Sequence, residues 1–193
     1  MSPKREINSL PAQIDLPAVE VEILDFWTQN QIFEKSVENR NGAKRWSFYE
    51  GPPTANGKPG THHIEARVFK DLFPRFQTMK GKQVIRKAGW DCHGLPIEWK
   101  IEEQYRAKGL NKDDVDVVAF RQECRKFAEG WIDVQRAEFK RLGVTGKWEK
   151  PYLTMDYHAE AVIADEFMKF LMNGTLYQGS KPVMWSPVEK TAL

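Results

Sequence analysis

Cysteine is scarce in this chain, because only Cys92 and Cys124 occur among its 193 residues. The two lie far apart and form no CxxC pair, so we expect no disulfide framework and a reducing, cytoplasmic compartment. Long apolar runs are missing as well. The first residues lack the apolar core of a signal peptide, and no stretch is long enough to span a membrane.

Charge of one sign is also lacking, since 29 basic residues nearly balance 27 acidic ones and leave a net charge of +2. That total gives no strong electrostatic field to attract nucleic acid, so contacts with RNA would depend on local patches of basic residues. The hydrophobic content of 41% and the aromatic content of 12% are typical of a globular core. The length suits one sizeable domain.

An α/β fold is predicted from the order of segments in the first hundred residues. Residues 45–49 are short and aromatic and predict a strand, which a Gly- and Pro-rich loop follows. A helix starting near His62 or His63 and ending at Gly81 comes next, and residues 83–86 predict a second, parallel strand. In such a βαβ unit, ligands bind at the carboxyl ends of the strands.

Helices are predicted elsewhere from apolar spacing and end signals. Asp15 is placed to cap a first helix that fades over residues 32–38, and Pro74 predicts a kink or a break in the helix before Gly81. The remaining predicted elements are helices over residues 97–108, 113–142 (with a bend at Gly130) and 158–172, and short strands near residues 176–177 and 183–185.

The loop from Gly51 to His63 has the features of a phosphate site. A strand, a glycine-rich loop and a helix start direct backbone N–H groups and the positive helix end at an anion. A surface loop with two exposed histidines is the competing interpretation. The loop also resembles a P-loop, but that motif needs four residues between its glycines and Ser or Thr after its lysine. Here five residues separate Gly51 from Gly57, and Pro59 follows Lys58.

The segment Gly-Pro-Pro-Thr-Ala-Asn-Gly-Lys-Pro-Gly-Thr-His-His, residues 51–63, is similar to the first signature of the class I aminoacyl-tRNA synthetases, which ends His-x-Gly-His. Gly60 stands where that family usually has its first histidine, and His62 stands where it usually has glycine. The final histidine is kept as His63.

A second loop, Gly-Trp-Asp-Cys-His-Gly-Leu-Pro-Ile-Glu at residues 89–98, follows the second predicted strand. Asp91 is placed there to pair with an α-ammonium group through charge-assisted hydrogen bonds, unless it caps a helix or lies in a solvated turn. Cys92 and His93 are adjacent with no second pair, so they make a poor zinc site, and we expect no metal bound by the protein.

This second loop resembles the isoleucine-specific branch of the same family. The leucine-specific branch usually reads Gly-Trp-Asp-Ala-Phe-Gly there, and the valine-specific branch reads Gly-Thr-Asp-His-Ala-Gly. The resemblance extends over residues 69–81 and 181–193, the latter similar to the segment that leads into an inserted editing domain. It therefore covers most of the chain.

The resemblance implies the first part of a Rossmann-like class I catalytic domain with helical extensions, and ATP-dependent activation of isoleucine followed by transfer to tRNA(Ile). It implies an arm and helix at residues 1–45, the first half of the catalytic domain with a helical insertion at 46–180, and the start of the connection to the editing domain at 181–193. A monomer is expected, with Mg²⁺ arriving on ATP. The implied catalytic residues are His63 and His62, the ATP-binding residues Pro53, Asn56, Gly57, Gly60, His62 and His63, and the isoleucine-binding residues Gly51, Pro52 and Asp91.

The second catalytic motif of the family, Lys-Met-Ser-Lys-Ser, occurs nowhere in the sequence. We therefore expect these 193 residues to carry half of an active site and to activate isoleucine very poorly alone. A valine- or leucine-specific member and a non-catalytic tRNA-binding module of the same fold remain as alternatives.

Overall fold

The computed structural model describes residues 13–49 and 51–192, which form an α/β structure. Residues 1–12 of the expected arm and helix lie outside this range, as do Glu50 and Leu193. The helices are α1 (Leu16–Gln29), α2 (Ile32–Glu38), α3 (Thr61–Met79), α4 (Leu95–Ala107), α5 (Val117–Arg141) and α6 (Tyr157–Met172). The strands are β1 (Lys87–Trp90), β2 (Lys147–Leu153), β3 (Trp185–Ser186) and β4 (Thr191–Ala192).

Three extended segments run parallel at the centre of the molecule. Strand β1 pairs with β2, with Trp90 opposite Leu153. The segment 44–55 approaches the same central segment at two points, through the parallel bridges Arg45–Gln83 and Thr54–Asp91. Helix α3 connects the first extended segment to β1, and α4 and α5 connect β1 to β2. The crossover through α3 is the predicted βαβ arrangement, and the crossover through α4 and α5 adds β2 as a further parallel strand.

The predicted strands are displaced from the observed ones. Residues 45–49 form a single bridge at Arg45 instead of a regular strand, and the strand predicted at residues 83–86 lies at Lys87–Trp90. Pro52 and Pro53 lack the N–H groups that a continuous ladder needs. Strand β2 was not predicted. No strand forms at residues 176–177, whereas the strand expected near residues 183–185 overlaps β3, which pairs with β4 in antiparallel fashion.

Helix ends follow the predicted chemistry more closely. The Asp15 carboxylate accepts the N–H of Ala18 at 3.2 Å and starts α1. Gln31 adopts a left-handed conformation with φ 51° and separates α1 from α2. Pro74, by contrast, ends no helix, because α3 continues through it with the proline buried. Gly130 likewise lies inside an uninterrupted α5.

The core forms where α5 packs on the parallel segments. Ala128, Ile132, Gln135 and Phe139 recur along one face of α5 and are all buried. They face Trp90 and Trp148 and the other buried core residues, Ala55, Cys92, Ile97 and Met155. Each large apolar side chain buried here contributes roughly 1.5–3 kcal/mol. Through this packing, α5 lies beneath the two loops at residues 51–63 and 89–98.

Apolar side chains of α3 remain exposed among the described residues. Val68, Leu72, Phe73 and Phe76 are each at least half exposed. The described part of the chain does not cover these side chains. In the part of the chain that the structure describes, no helix combines the length and the apolar character needed to cross a membrane.

Candidate active site

The two loops singled out in the sequence meet at the carboxyl ends of the parallel segments. The N–H of Asp91 donates to the carbonyl of Pro53 at 2.9 Å, and the N–H of Ala55 donates to the carbonyl of Asp91 at 2.8 Å. These two bonds enclose Thr54 and make the parallel bridge Thr54–Asp91. The first loop and the second loop are therefore one connected unit, at the place where α/β proteins bind ligands.

The glycines of the first loop leave room for a ligand. A Cβ atom built at Gly51 or Gly57 meets nothing within 4 Å. Pro52, Pro53 and Asn56 are half-buried beside them. A ligand can therefore approach this backbone closely from solvent.

His63 lies in the first turn of α3, and its ring is held against the helix start. The Gly60 N–H donates to His63 Nδ1 at 3.1 Å. Because Nδ1 accepts this bond, the neutral ring carries its proton on Nε2. Burial lowers the pKa of His63 below 6.5, and the neighbouring His62 and Arg67 lower it further. His63 is therefore a neutral Nε2–H donor at the positive end of the helix.

The exchanged pair Gly60 and His62 fits together sterically. The rings of His62 and His63 are 3.9 Å apart between centroids and tilted by 41°. A Cβ atom at Gly60 would come within 3.0 Å of His62 Cε1. The absent side chain at Gly60 thus leaves the space that the His62 ring occupies, and both imidazoles stand at the start of α3.

Asp91 presents a carboxylate whose own contacts are weak. Its Oδ1 lies 3.4 Å from the N–H of His93 and 3.4 Å from Thr154 Oγ1. Thr154 Oγ1 also accepts the Cys92 N–H at 2.8 Å, which ties the second loop to the end of β2. Among the described residues Asp91 forms no ion pair, so its charge can serve an incoming ammonium group.

The second loop is braced from outside by the first turn of α6. His93 Nε2 lies 3.0 Å from Glu160 Oε1, and the same carboxylate pairs with Arg125 of α5. Arg125 also donates to the carbonyl of Met155. Its guanidinium lies 4.6 Å from the ring centre of Tyr157. His93 therefore supports the loop, and its ring is directed to α6.

Sequence patterns did not identify two residues that contact the loops, Thr154 and Gln135. The Gln135 side chain is hydrogen-bonded to Thr54, Gly57 and Trp90. Gln135 is an interior residue of α5, where no local motif distinguishes it from a solvated glutamine. Thr154 follows β2 directly, so the rule that polar residues at carboxyl strand ends face ligands would find it once β2 is recognised. Pro151 obscures that strand, because proline within a run argues against a strand.

A cavity of about 100 Å³ lies between α3 and β1. It is lined by core residues that include Phe139 and Trp148, and it reaches the second loop at Gly89 and Trp90. Within the described ranges, no group of three or more His, Cys, Asp or Glu side chains is arranged to hold a metal ion.

The position of these loops, at the ends of parallel strands, agrees with the family that the sequence matches. Residues 22–193 match the family model described as tRNA synthetases class I (I, L, M and V), so the chain belongs to that family. The crystal structure of the ternary complex of Agrobacterium radiobacter K84 agnB2 LeuRS with tRNA and LeuAMS shares the fold. The TM-score is 0.69 at 23% identity, over 94% of this chain and 21% of that one.

Within the family, two similar curated proteins are isoleucine--tRNA ligases. The chain is 60% identical over 186 residues to the isoleucine--tRNA ligase of Ruegeria pomeroyi, covering 96% of this chain and 19% of that protein. It is 53% identical over 187 residues to the isoleucine--tRNA ligase of Zymomonas mobilis, covering 96% of this chain and 20% of that protein. The chain therefore spans about a fifth of the length of the curated relatives it matches.

Proposed function

We propose that this chain holds ATP and isoleucine during the formation of isoleucyl-adenylate, as one part of an isoleucine--tRNA ligase. The observation that carries the proposal is the pair of backbone bonds that joins the Pro53–Ala55 loop to Asp91. Through them, a phosphate site and a site for an ammonium group become parts of one surface. The identity to isoleucine--tRNA ligases supports isoleucine, rather than leucine or valine, as the substrate.

The ATP side of this surface is the first loop and the start of α3. His63 Nε2–H donates to a phosphate oxygen and to the charge that develops at the α-phosphorus, and His62 assists it. The nucleotide lies against Pro53, Asn56, Gly57 and Gly60. Asn56, Gly57 and the two histidines offer donors to phosphate, and none of the residues named here offers a carboxylate to a metal, so Mg²⁺ would arrive bound to the phosphate oxygens of ATP.

The isoleucine side is formed by Asp91 with Gly51 and Pro52. The Asp91 carboxylate pairs with the α-ammonium group, Gly51 lets the substrate approach the backbone, and Pro52 contacts the aliphatic side chain. So held, the isoleucine carboxylate attacks the α-phosphorus of ATP and pyrophosphate leaves. The isoleucyl group then passes to tRNA(Ile), with no covalent bond to the protein at any stage. Catalysis rests on positioning and on donors for the phosphate charge.

We also propose the division expected from the sequence, with an arm and helix at residues 1–45, half of a catalytic domain at 46–180 and a connection to an editing domain at 181–193. The chain works in the cytoplasm as a monomer. Groups outside these 193 residues complete the site.

A hybrid enzyme tests this proposal. In it, the chain replaces the matching segment of the Ruegeria pomeroyi isoleucine--tRNA ligase, and isoleucine-dependent ATP–pyrophosphate exchange is measured. We expect exchange within about tenfold of the parent enzyme, and a rate at least 100-fold lower for the 193 residues alone, since one misplaced or missing part of such a site costs about that factor. A hybrid that binds tRNA yet exchanges no pyrophosphate with any amino acid would favour a non-catalytic tRNA-binding module.

A further inference from the structure

Gln135 of α5 contacts both loops of the candidate site at once. Its Oε1 accepts the indole N–H of Trp90 at 3.0 Å. Its Nε2 donates to the carbonyl of Thr54 at 2.9 Å and to the carbonyl of Gly57 at 2.8 Å. Trp90 belongs to the second loop and the two carbonyls belong to the first. One side-chain amide therefore bridges the loops from beneath.

The chemistry of the three partners determines how this amide is oriented. A backbone carbonyl only accepts hydrogen bonds, and an indole N–H only donates. The reversed amide would place oxygen against two oxygens and nitrogen against a donor. All three bonds can form only with Nε2 toward Thr54 and Gly57 and Oε1 toward Trp90. Both amide protons are then used.

Burial makes the loss of any of these three hydrogen bonds costly in free energy. Gln135 is 4% exposed and Trp90 is 1% exposed. A buried polar group that loses its partner retains its full desolvation penalty, so water cannot replace the amide cheaply here. A glutamine on the buried face of a helix, between Ile132 and Phe139, is also a poor choice for packing alone.

We infer that Gln135 is a positioning residue, which sets the phosphate loop and the amino acid loop at the separation that adenylate formation needs. This inference rests on the proposed function. The backbone bonds between Pro53, Ala55 and Asp91 join the loops at one point only. The Gln135 amide adds a second attachment at Gly57, three residues further toward α3, and so restricts rotation of the first loop about Thr54.

Substitution of Gln135 by Glu isolates this role. Glutamate keeps the acceptor for Trp90 but has no N–H for Thr54 or Gly57. In the hybrid enzyme we expect kcat of pyrophosphate exchange to fall about 100-fold, with the KM values for ATP and isoleucine each within about threefold, because each substrate still meets its own loop. In the 193-residue chain, hydrogen exchange should accelerate at the amides of Ala55 and Asp91.

Ile132→Ala is the matched control. Ile132 is 3% exposed on the same face of α5, one turn before Gln135. Its truncation destabilises the core but removes no hydrogen bond to either loop. Assayed below its melting temperature, this variant should keep kcat. An equal loss of kcat in both variants would show that Gln135 acts through stability alone and would overturn the inference.

A double-mutant cycle covers the case in which Gln135→Glu does not fold. Gln135→Met keeps approximately the volume and removes all three bonds, and Trp90→Phe removes the indole N–H together with part of the buried ring. If Gln135 and Trp90 act as a unit, the loss of kcat in the double variant is smaller than the sum of the two single losses, whereas fully additive losses would contradict the inference. An unmodified hybrid without exchange activity contradicts the proposed function instead, because it fails before any substitution is made.

Discussion

Replacing Asp91 by Asn should separate recognition of the amino acid from folding. The fold uses the backbone of Asp91, whose N–H and carbonyl join it to Pro53 and Ala55 at 2.9 and 2.8 Å. The side chain makes two contacts of 3.4 Å, to the His93 N–H and to Thr154. Both are longer than ordinary hydrogen bonds, and Asn retains an acceptor for them. We therefore expect the free energy of unfolding to change by less than about 0.5 kcal/mol.

The loss of binding should be much larger. A hydrogen bond to a charged group is worth roughly 1.5–3 kcal/mol, and each 1.4 kcal/mol is a factor of ten in affinity. The KM for isoleucine in the hybrid enzyme should then rise about 10- to 150-fold, while the KM for ATP stays within about threefold. The assay is pyrophosphate exchange with each substrate varied in turn.

Asp133→Asn provides the matched control, because Asp133 is an exposed residue of α5 that pairs with Arg136 at 2.8 Å. Its kinetic constants should not change. Equal increases in the two KM values of Asp91→Asn would refute the reasoning, and so would a loss of stability similar to that of a core substitution. Either result would assign Asp91 a structural role.

Three further predictions concern charge and stability. The pKa of His63 should lie below 6.5 in the folded protein. The neutral ring then stabilises the fold fully above pH 6.5, and this stabilisation is lost as the pH falls through the lowered pKa. An NMR titration of the ring Cε1–H that gave a pKa above 6.5 would contradict this. Asp71→Ala should destabilise the fold by about 3 kcal/mol in urea unfolding, because it leaves the nearly buried Arg86 without the carboxylate 2.6 Å away. Asp15→Ala removes the cap of α1 and should lower its helicity by circular dichroism, at a cost of about 1 kcal/mol. An unchanged midpoint in either variant would show that the contact contributes nothing.

Local chemistry explains which parts of the fold are predictable. Asp15 caps α1 and Gly81 follows the end of α3, because these effects depend on neighbouring residues. Strand positions depend on distant partners. Residues 83–86 have the composition of a strand, but β1 lies at Lys87–Trp90 because β2 pairs there, more than fifty residues along the chain. Tertiary pairing decides between two adjacent, similar segments.

The candidate site likewise has some features that depend on neighbouring residues and others that depend on distant ones. Glycine-rich composition and a helix start identified the first loop, and the carboxylate after a strand identified the second. The connections between them were not predictable, because Gln135 and Thr154 reach the loops from about 80 and 60 residues away. A sequence pattern shows which residues suit a task, and the packing of α5 and β2 determines which residues hold them in place.

Calorimetry with the non-hydrolysable isoleucyl, valyl and leucyl analogues of the aminoacyl-adenylate, titrated into the hybrid enzyme, tests the central claim most directly. The account predicts that the isoleucyl analogue binds most tightly, and that Asp91→Asn weakens it by about 10- to 150-fold. Binding that is strongest for the leucyl or valyl analogue, or unaffected by Asp91→Asn, would contradict it.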